Sequence, residues 1–486
     1  MNQIKKLFKQ TFIYGLATVL PRMLSFLLLP LYTGVLETAG YGEINIIFSW
    51  FAIFNVILAY GMETAFFRFY SNAVDRNKVV TTSLISIMVS TFIFLVTALL
   101  FKDAIASFTN IEAKYIKYAI YILALDALVI VPFAWLRANE RPMRYAVVKI
   151  LNVGVNFGLN IFFLLVLPKL VQENPDSTFM GIYRPNFEIS YIFISNLIAS
   201  GLTLLLMLRL YLRRPYVFDK ELWLKMMDYG LPVLVAGIAF TINEVFDRIM
   251  LSYLLPEAIA ESEIGKYSAC YKLAMFMTLF ATAFRIGIEP FFFSHASSKN
   301  PQKAYAMITD YFVILGSIIM LGVVVFADLL KLILVRNDSL WEAMSIVPLV
   351  VLASFCLGIY HNLSVWYKIT DRTKFGAYIS LIGALLTIIV NFAFIPHFGY
   401  KASAVATLVA YGSMMLMSFF FGRMYYPIPY NHRKIIFYLG ISILFSILSF
   451  YVFDRNLIVG IILYVLFLGI VYRLESDKLK QIFLRK

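Results

Sequence analysis

The sequence predicts an all-α polytopic membrane protein of about fourteen transmembrane helices: two pseudo-two-fold related six-helix bundles plus two extra C-terminal helices. Three observations lead there. The 486-residue chain is 61% hydrophobic and only 14% charged, which excludes a water-soluble fold. Apolar stretches of about 20 residues, each long enough for a bilayer core of roughly 30 Å, recur along its length. Finally, Tyr229-Gly230-Leu231 repeats Tyr14-Gly15-Leu16, and Gly265 followed by Tyr267 echoes Gly40-Tyr41-Gly42.

The spans fall near residues 12–35, 43–66, 79–101, 115–136, 145–168, 188–210 and 229–255. They continue near 265–292, 305–327, 341–366, 375–396, 402–424, 435–453 and 457–472. Basic residues fix their orientation. With Lys5, Lys6 and Lys9 in the cytoplasm, the tails and even-numbered links carry 28 of the 42 Lys and Arg, the opposite links 10, and the spans 4. This is the positive-inside pattern with both termini cytoplasmic. It accounts for a net charge of +14 without nucleic acid.

Taken in order, the N-terminal tail sets Lys5, Lys6 and Lys9 beside Leu7, Phe8 and Phe12, a short amphipathic lead-in on the inner membrane surface. Its apolar continuation is too long for a signal-peptide core and is interrupted by Arg22, so it reads as an uncleaved span 1 containing Pro21, Arg22, Ser25 and Pro30. Span 2 closes with Tyr60-Gly61-Met62-Glu63-Thr64-Ala65 before Arg68, and span 4 carries Asp126. Span 5 has Asn152, Asn156 and Asn160 along one face, a stripe that joins helices more often than it binds ligands. Span 6 contains Asn196 to Gly201 and stops at Arg209, Arg213 and Arg214.

The second copy begins at Tyr229. Asn391 corresponds loosely to Asn160, and Thr407 to Gly412 parallels Asn196 to Gly201. An even number of spans per copy gives both the same orientation, related by an axis along the membrane normal. The expected organisation is therefore residues 1–215, 216–428 and 429–486, the last holding spans 13 and 14. Cys270 and Cys356 fall inside spans as small apolar groups, and His295, His361, His397 and His432 are scattered, so neither set predicts a metal site. Nothing in the sequence asks for a cofactor.

Four basic residues lie within the predicted bilayer: Arg22, Arg248, Lys272 and Arg285. Each costs roughly 2.5–3.5 kcal/mol on insertion scales if uncompensated. Arg22 is about ten residues into span 1, or roughly 15 Å deep, too far to snorkel easily. It has no acidic residue at i±3 or i±4, so its partner is on another helix or on a ligand. Arg248 has Glu244 one turn before it and Asp247 adjacent, and Arg285 has Glu289 at i+4. Lys272 lies two turns into span 8, where snorkelling outward is an equal alternative.

The chain resembles the polysaccharide-biosynthesis flippases of the multidrug/oligosaccharidyl-lipid/polysaccharide exporter superfamily. The residues that carry the resemblance are Tyr14-Gly15 through Pro30, Gly40-Tyr41-Gly42, Gly61 to Arg68 with Tyr70, and Asp247-Arg248. Gly265-Lys266-Tyr267 through Tyr271-Lys272, Pro290-Phe291, and His397 to Tyr400 leading into Ala402 to Gly412 complete it. Their order, together with the fourteen spans, covers nearly the whole chain.

The resemblance implies two six-helix lobes around a cavity that opens alternately to each side of a bacterial inner membrane. It implies a polyprenyl-diphosphate-linked oligosaccharide as cargo, moved from the cytoplasmic to the outer leaflet. It also implies partners among the membrane lipids, polysaccharide polymerases and glycosyltransferases. On that reading Arg22, Arg248 and Lys272 contact the diphosphate, a planar guanidinium being suited to gripping two phosphate oxygens. Glu244, Asp247, Arg285, Glu289 and Asp126 are gating or ion-coupling groups. An intrahelical Glu244/Arg248 pair is the structural alternative for Arg248. A cation-coupled multidrug antiporter of the same superfamily is the rival, kept open by Asp126, Glu244 and Asp247. A membrane glycosyltransferase or ligase fits less well, since the outer links are short. No phosphate-binding G-x-x-x-x-G-K-[ST] loop points to ATP-driven transport.

Overall fold

The computed structural model describes residues 20, 23–24, 26–176, 178–212, 215–295 and 300–484. Among these every regular element is helical. Tyr14, Pro21, Arg22 and Ser25 lie outside the described residues, as do Arg213 and Arg214. The described end of span 1 is α1 (Leu29–Val35), with Pro30 in its first turn, where the missing amide costs no hydrogen bond.

Thirteen described helices are long and apolar enough to cross a membrane, and they match predicted spans 2 to 14 one for one. The first six are α2 (Thr38–Ser71), α3 (Arg76–Leu100), α4 (Ala113–Ala138), α5 (Pro142–Glu173), α6 (Glu188–Leu212) and α7 (Lys220–Leu254). They are followed by α8 (Glu257–Glu289), α9 (Pro301–Val325), α10 (Asp338–Ile369) and α11 (Lys374–Phe398). The last three are α12 (Tyr400–Tyr425), α13 (His432–Val452) and α14 (Leu457–Ser476).

Several of these helices are interrupted where the sequence supplies a reason. α5 widens into a π turn over Phe162–Val166 just before Pro168, whose ring and missing amide break the ladder. α2 breaks at Tyr60 and Gly61, both left-handed, with φ of 30° and 71°. α8 tightens to a 3-10 turn at Lys272–Ala274.

The chain forms two compact units, Met1–Gly265 and Lys266–Lys486. In the first, α7 packs along α2. Backbones of α2 touch those of α7 and of the opening turns of α8 because glycine leaves room. A Cβ at Gly42 would stand 1.8 Å from the Glu261 carbonyl oxygen, one at Gly265 2.1 Å from that of Thr38, and one at Gly61 2.1 Å from that of Gly230. Gly42, Gly230 and Gly265 are among the glycines through which the sequence repeat was recognised.

Around them Met62, Phe66, Val80, Leu84, Val131 and Met226 build a buried core from α2, α3, α4 and α7. Polar ties cross it. Ser86 of α3 bonds the Tyr60 hydroxyl at 2.8 Å and accepts from the Trp223 indole nitrogen at 2.8 Å. The asparagine stripe of α5 serves as interhelical glue: Asn152 donates to Thr203 of α6 at 2.9 Å, and Asn160 accepts from the Tyr32 hydroxyl of α1 at 3.1 Å.

The second unit repeats part of this chemistry. Ser403 of α12 donates to Asn391 of α11 at 2.8 Å, where the loose match to Asn160 lies. Trp366, Tyr305, Phe292 and Val365 form a core, with the Trp366 indole donating to the Ser418 carbonyl at 3.1 Å. α13 and α14 are joined by Lys434 and Glu475 at 2.7 Å, the same carboxylate accepting from Tyr438 at 2.9 Å.

Replacing Gly42 or Gly61 by alanine should destabilise the protein by about 1–3 kcal/mol or more, because backbone rather than a yielding side chain occupies the space. Gly154→Ala, with nothing within 4 Å of the added carbon, should stay within about 1 kcal/mol of the parent. Thermal unfolding of the three variants in one detergent compares them directly.

Candidate functional site

Intramembrane charge demands a counter-charge, and the structure shows how four of the eight predicted site residues, Arg248, Asp247, Glu289 and Asp126, obtain one. Arg248 lies in α7 among buried residues and is itself 7% exposed. Its guanidinium reaches back toward the helix N-terminus, the direction helical side chains take. It donates to Asp247 Oδ1 at 2.9 Å and to the Glu244 backbone carbonyl at 3.1 Å. The same Asp247 oxygen accepts the Arg248 amide at 2.8 Å, so one carboxylate oxygen receives two charge-relevant donors. Asp247 is buried, whereas Glu244 is exposed at the protein surface. Of the two acids named from the sequence, Asp247 is in direct side-chain contact with Arg248, and Glu244 receives it at its backbone carbonyl.

Asp126 of α4 accepts a hydrogen bond from Ser200 of α6 at 2.7 Å, and Lys149 of α5 is near enough to act on it electrostatically. The Lys149 ammonium stands over the Phe133 ring at 4.3 Å. Three adjacent spans thus bring an acid, a base and a hydroxyl to one locus inside the first unit. The charge count assigns Lys149 to the link before span 5, whose edge it overlaps; it belongs to the second turn of α5, folded back beside α4 by the short connection at 139–141. An acid without an intrahelical base, followed across a tight hairpin by a lysine, is the signal that would have joined them.

In the second unit Lys272 occupies the 3-10 turn of α8 and is half-buried. Further along α8, Glu289 pairs with Lys368 of α10 at 2.8 Å. Arg285 and Lys368 both lie close enough to His361 for their charges to be felt there. The bond observed for Glu289 therefore links α8 to α10, a contact that i,i+4 spacing on one helix does not reveal. Arg22 lies outside the described residues. Among the described residues, no group of three or more His, Cys, Asp or Glu side chains could hold a metal ion.

A family model described as polysaccharide biosynthesis protein matches residues 7–285. A second, described as MatE, matches residues 232–393. No curated protein matches the chain by sequence. Among solved structures, the chain resembles one described as the lipid II flippase MurJ in an inward closed conformation. That likeness has a TM-score of 0.73 at 15% identity and covers 95% of this chain and 99% of that one. It also resembles an inward-facing multidrug resistance MATE family transporter of the MOP superfamily (TM-score 0.62, 14% identity, 85% and 94% coverage). An outward-facing structure of the same description gives 0.59 at 13% identity, over 86% and 95%. These structures share the fold.

Because Arg248 is buried against Asp247, Asp247→Ala should cost about 3–5 kcal/mol, the usual price of removing one member of a buried pair. The double variant Asp247→Ala/Arg248→Met should recover part of that loss. A double-mutant cycle read by thermal unfolding in detergent measures the coupling.

Proposed function

The chain belongs to the polysaccharide biosynthesis protein family, and on that premise we propose that it is a flippase for a polyprenyl-diphosphate-linked oligosaccharide. The cargo passes from the cytoplasmic to the outer leaflet of a bacterial inner membrane, with both termini of the chain cytoplasmic. Alternating access between lobes 1–215 and 216–428, with 429–486 appended, moves the headgroup. The observation that carries this reading is the family match over residues 7–285, more than half of the 486-residue chain.

The physical task explains the residue types. A glycan cannot cross hydrocarbon cheaply, because each unpaired hydroxyl costs several kcal/mol. The headgroup must travel hydrated while the polyprenyl chain stays in lipid. Its diphosphate is the only fixed charge common to such carriers, and Arg22, Arg248 and Lys272 are assigned to it. Glu244, Asp247, Arg285, Glu289 and Asp126 are assigned to gating or coupling, exchanging partners as the lobes alternate. An inside-negative potential favours outward movement of an anionic headgroup by about 2.3 kcal/mol per charge per 100 mV. Cation-coupled multidrug antiport is the second reading. The MatE match at 232–393 and the intramembrane Asp126 favour it.

Arg22→Ala should abolish delivery of lipid-linked sugar while the protein still inserts and unfolds at its usual temperature, and Arg22→Lys should restore part of the activity. Polymer assembly in a strain dependent on this chain, measured beside membrane levels of the variant, makes the test. Near-normal polymer with Arg22→Ala would remove Arg22 from the substrate path. Cation-driven drug efflux from proteoliposomes, with no transfer of lipid-linked sugar, would select the antiporter.

A further inference from the structure

The first unit contains an open recess of about 430 Å³ at the ends of α4 and α6 and the start of α5. Arg141 and Arg144 enter it from the α4–α5 connection and the first turn of α5, and Arg209 from the last turn of α6. All three are exposed. Among the described residues that line the recess there is no carboxylate. The neighbouring Arg137 differs, being paired with Glu63 at 2.5 Å. Arg141 stacks over the Trp135 ring at 5.0 Å, which fixes one guanidinium at the edge of the apolar wall. The first turn of α5, opened by Pro142 and bearing Arg144, adds its own positive end.

The rest of the lining is hydrocarbon, including Pro132, Leu206 and Leu210. That surface runs on along α6, where Leu205 and Leu206 are 66% and 40% exposed within a membrane-spanning helix. A soluble anion would use the arginines and leave the apolar wall wet. A lipid uses both, with its phosphate among the guanidiniums and its glycerol and first methylenes against the leucines. We propose that this recess binds the phosphodiester headgroup of an anionic phospholipid from the adjoining leaflet, the cytoplasmic one by the charge distribution of the chain. The site recognises the lipid of the surrounding membrane and is independent of the transported cargo.

The test uses the full chain in detergent micelles doped with dioleoylphosphatidylglycerol or, at equal mole fraction, dioleoylphosphatidylcholine, with unfolding temperature as the readout. Phosphatidylglycerol should raise that temperature, phosphatidylcholine should not, and added NaCl should erode the difference. Inorganic phosphate should give no rise. R141Q/R144Q/R209Q should lose about a hundredfold in apparent affinity for phosphatidylglycerol, at roughly a fivefold loss per arginine near a membrane surface. Its unfolding temperature in phosphatidylcholine should be unchanged, which separates lost binding from lost folding. K303Q/K374Q/R423Q, equal in charge and also exposed, should keep the full response. The proposal falls if the first triple variant still responds, if both triple variants lose the response alike, or if phosphate or phosphatidylcholine matches phosphatidylglycerol.

Discussion

The first unit depends on backbone meeting backbone without an intervening side chain. Lipid is as apolar as leucine, so helices in a bilayer gain little from burying hydrocarbon against each other and must be held by close packing and polar ties. Gly42 against Glu261, Gly265 against Thr38 and Gly61 against Gly230 supply the close packing. Ser86, bonded to both Tyr60 and Trp223, supplies a polar tie at the same end as the Gly61 contact. With α2 fixed against α7 at Gly61 and against the opening turns of α8 at Gly42 and Gly265, the buried pair of Asp247 and Arg248 on α7 is held in register with the rest of the unit.

Among the described residues, several charged groups find partners close at hand. Arg248 leans on its sequence neighbour, Glu289 on Lys368 of another helix, and Asp126 on Ser200 with Lys149 nearby. Each arrangement lowers the cost of keeping an ionisable group away from water.

The sequence made the spans legible because a bilayer imposes one length and one polarity on every crossing, and α2 to α14 follow the hydropathy closely. Gly42, Gly230 and Gly265 were legible as repeat markers, though not as contacts, since which backbone they face depends on a partner more than a hundred and sixty residues away. Pairings within one helix were read from spacing, which does not show where a side chain curls back. Arg248 therefore meets the adjacent Asp247 directly and Glu244 through its carbonyl. Lys149 and Lys368 were hidden because they stand near helix ends, where a lysine ordinarily reads as part of a solvated link. The recess rimmed by Arg141, Arg144 and Arg209 has no sequence signature, because basic residues in links are what orientation in the membrane already requires.

The break at Tyr60 and Gly61 has a consequence for how α2 meets the bilayer. As one rod, its 34 residues would measure about 51 Å, far beyond the roughly 30 Å thickness of the hydrocarbon. Cut at the left-handed pair, the 22 residues of Thr38–Ala59 span about 33 Å, a close match to that thickness. The remaining turns, bearing Glu63 and Arg68, are freed from the tilt of the spanning piece and can lie where headgroups and water begin. A bulky residue in a conformation usually left to glycine thus lets one continuous helix fit a membrane it would otherwise overshoot.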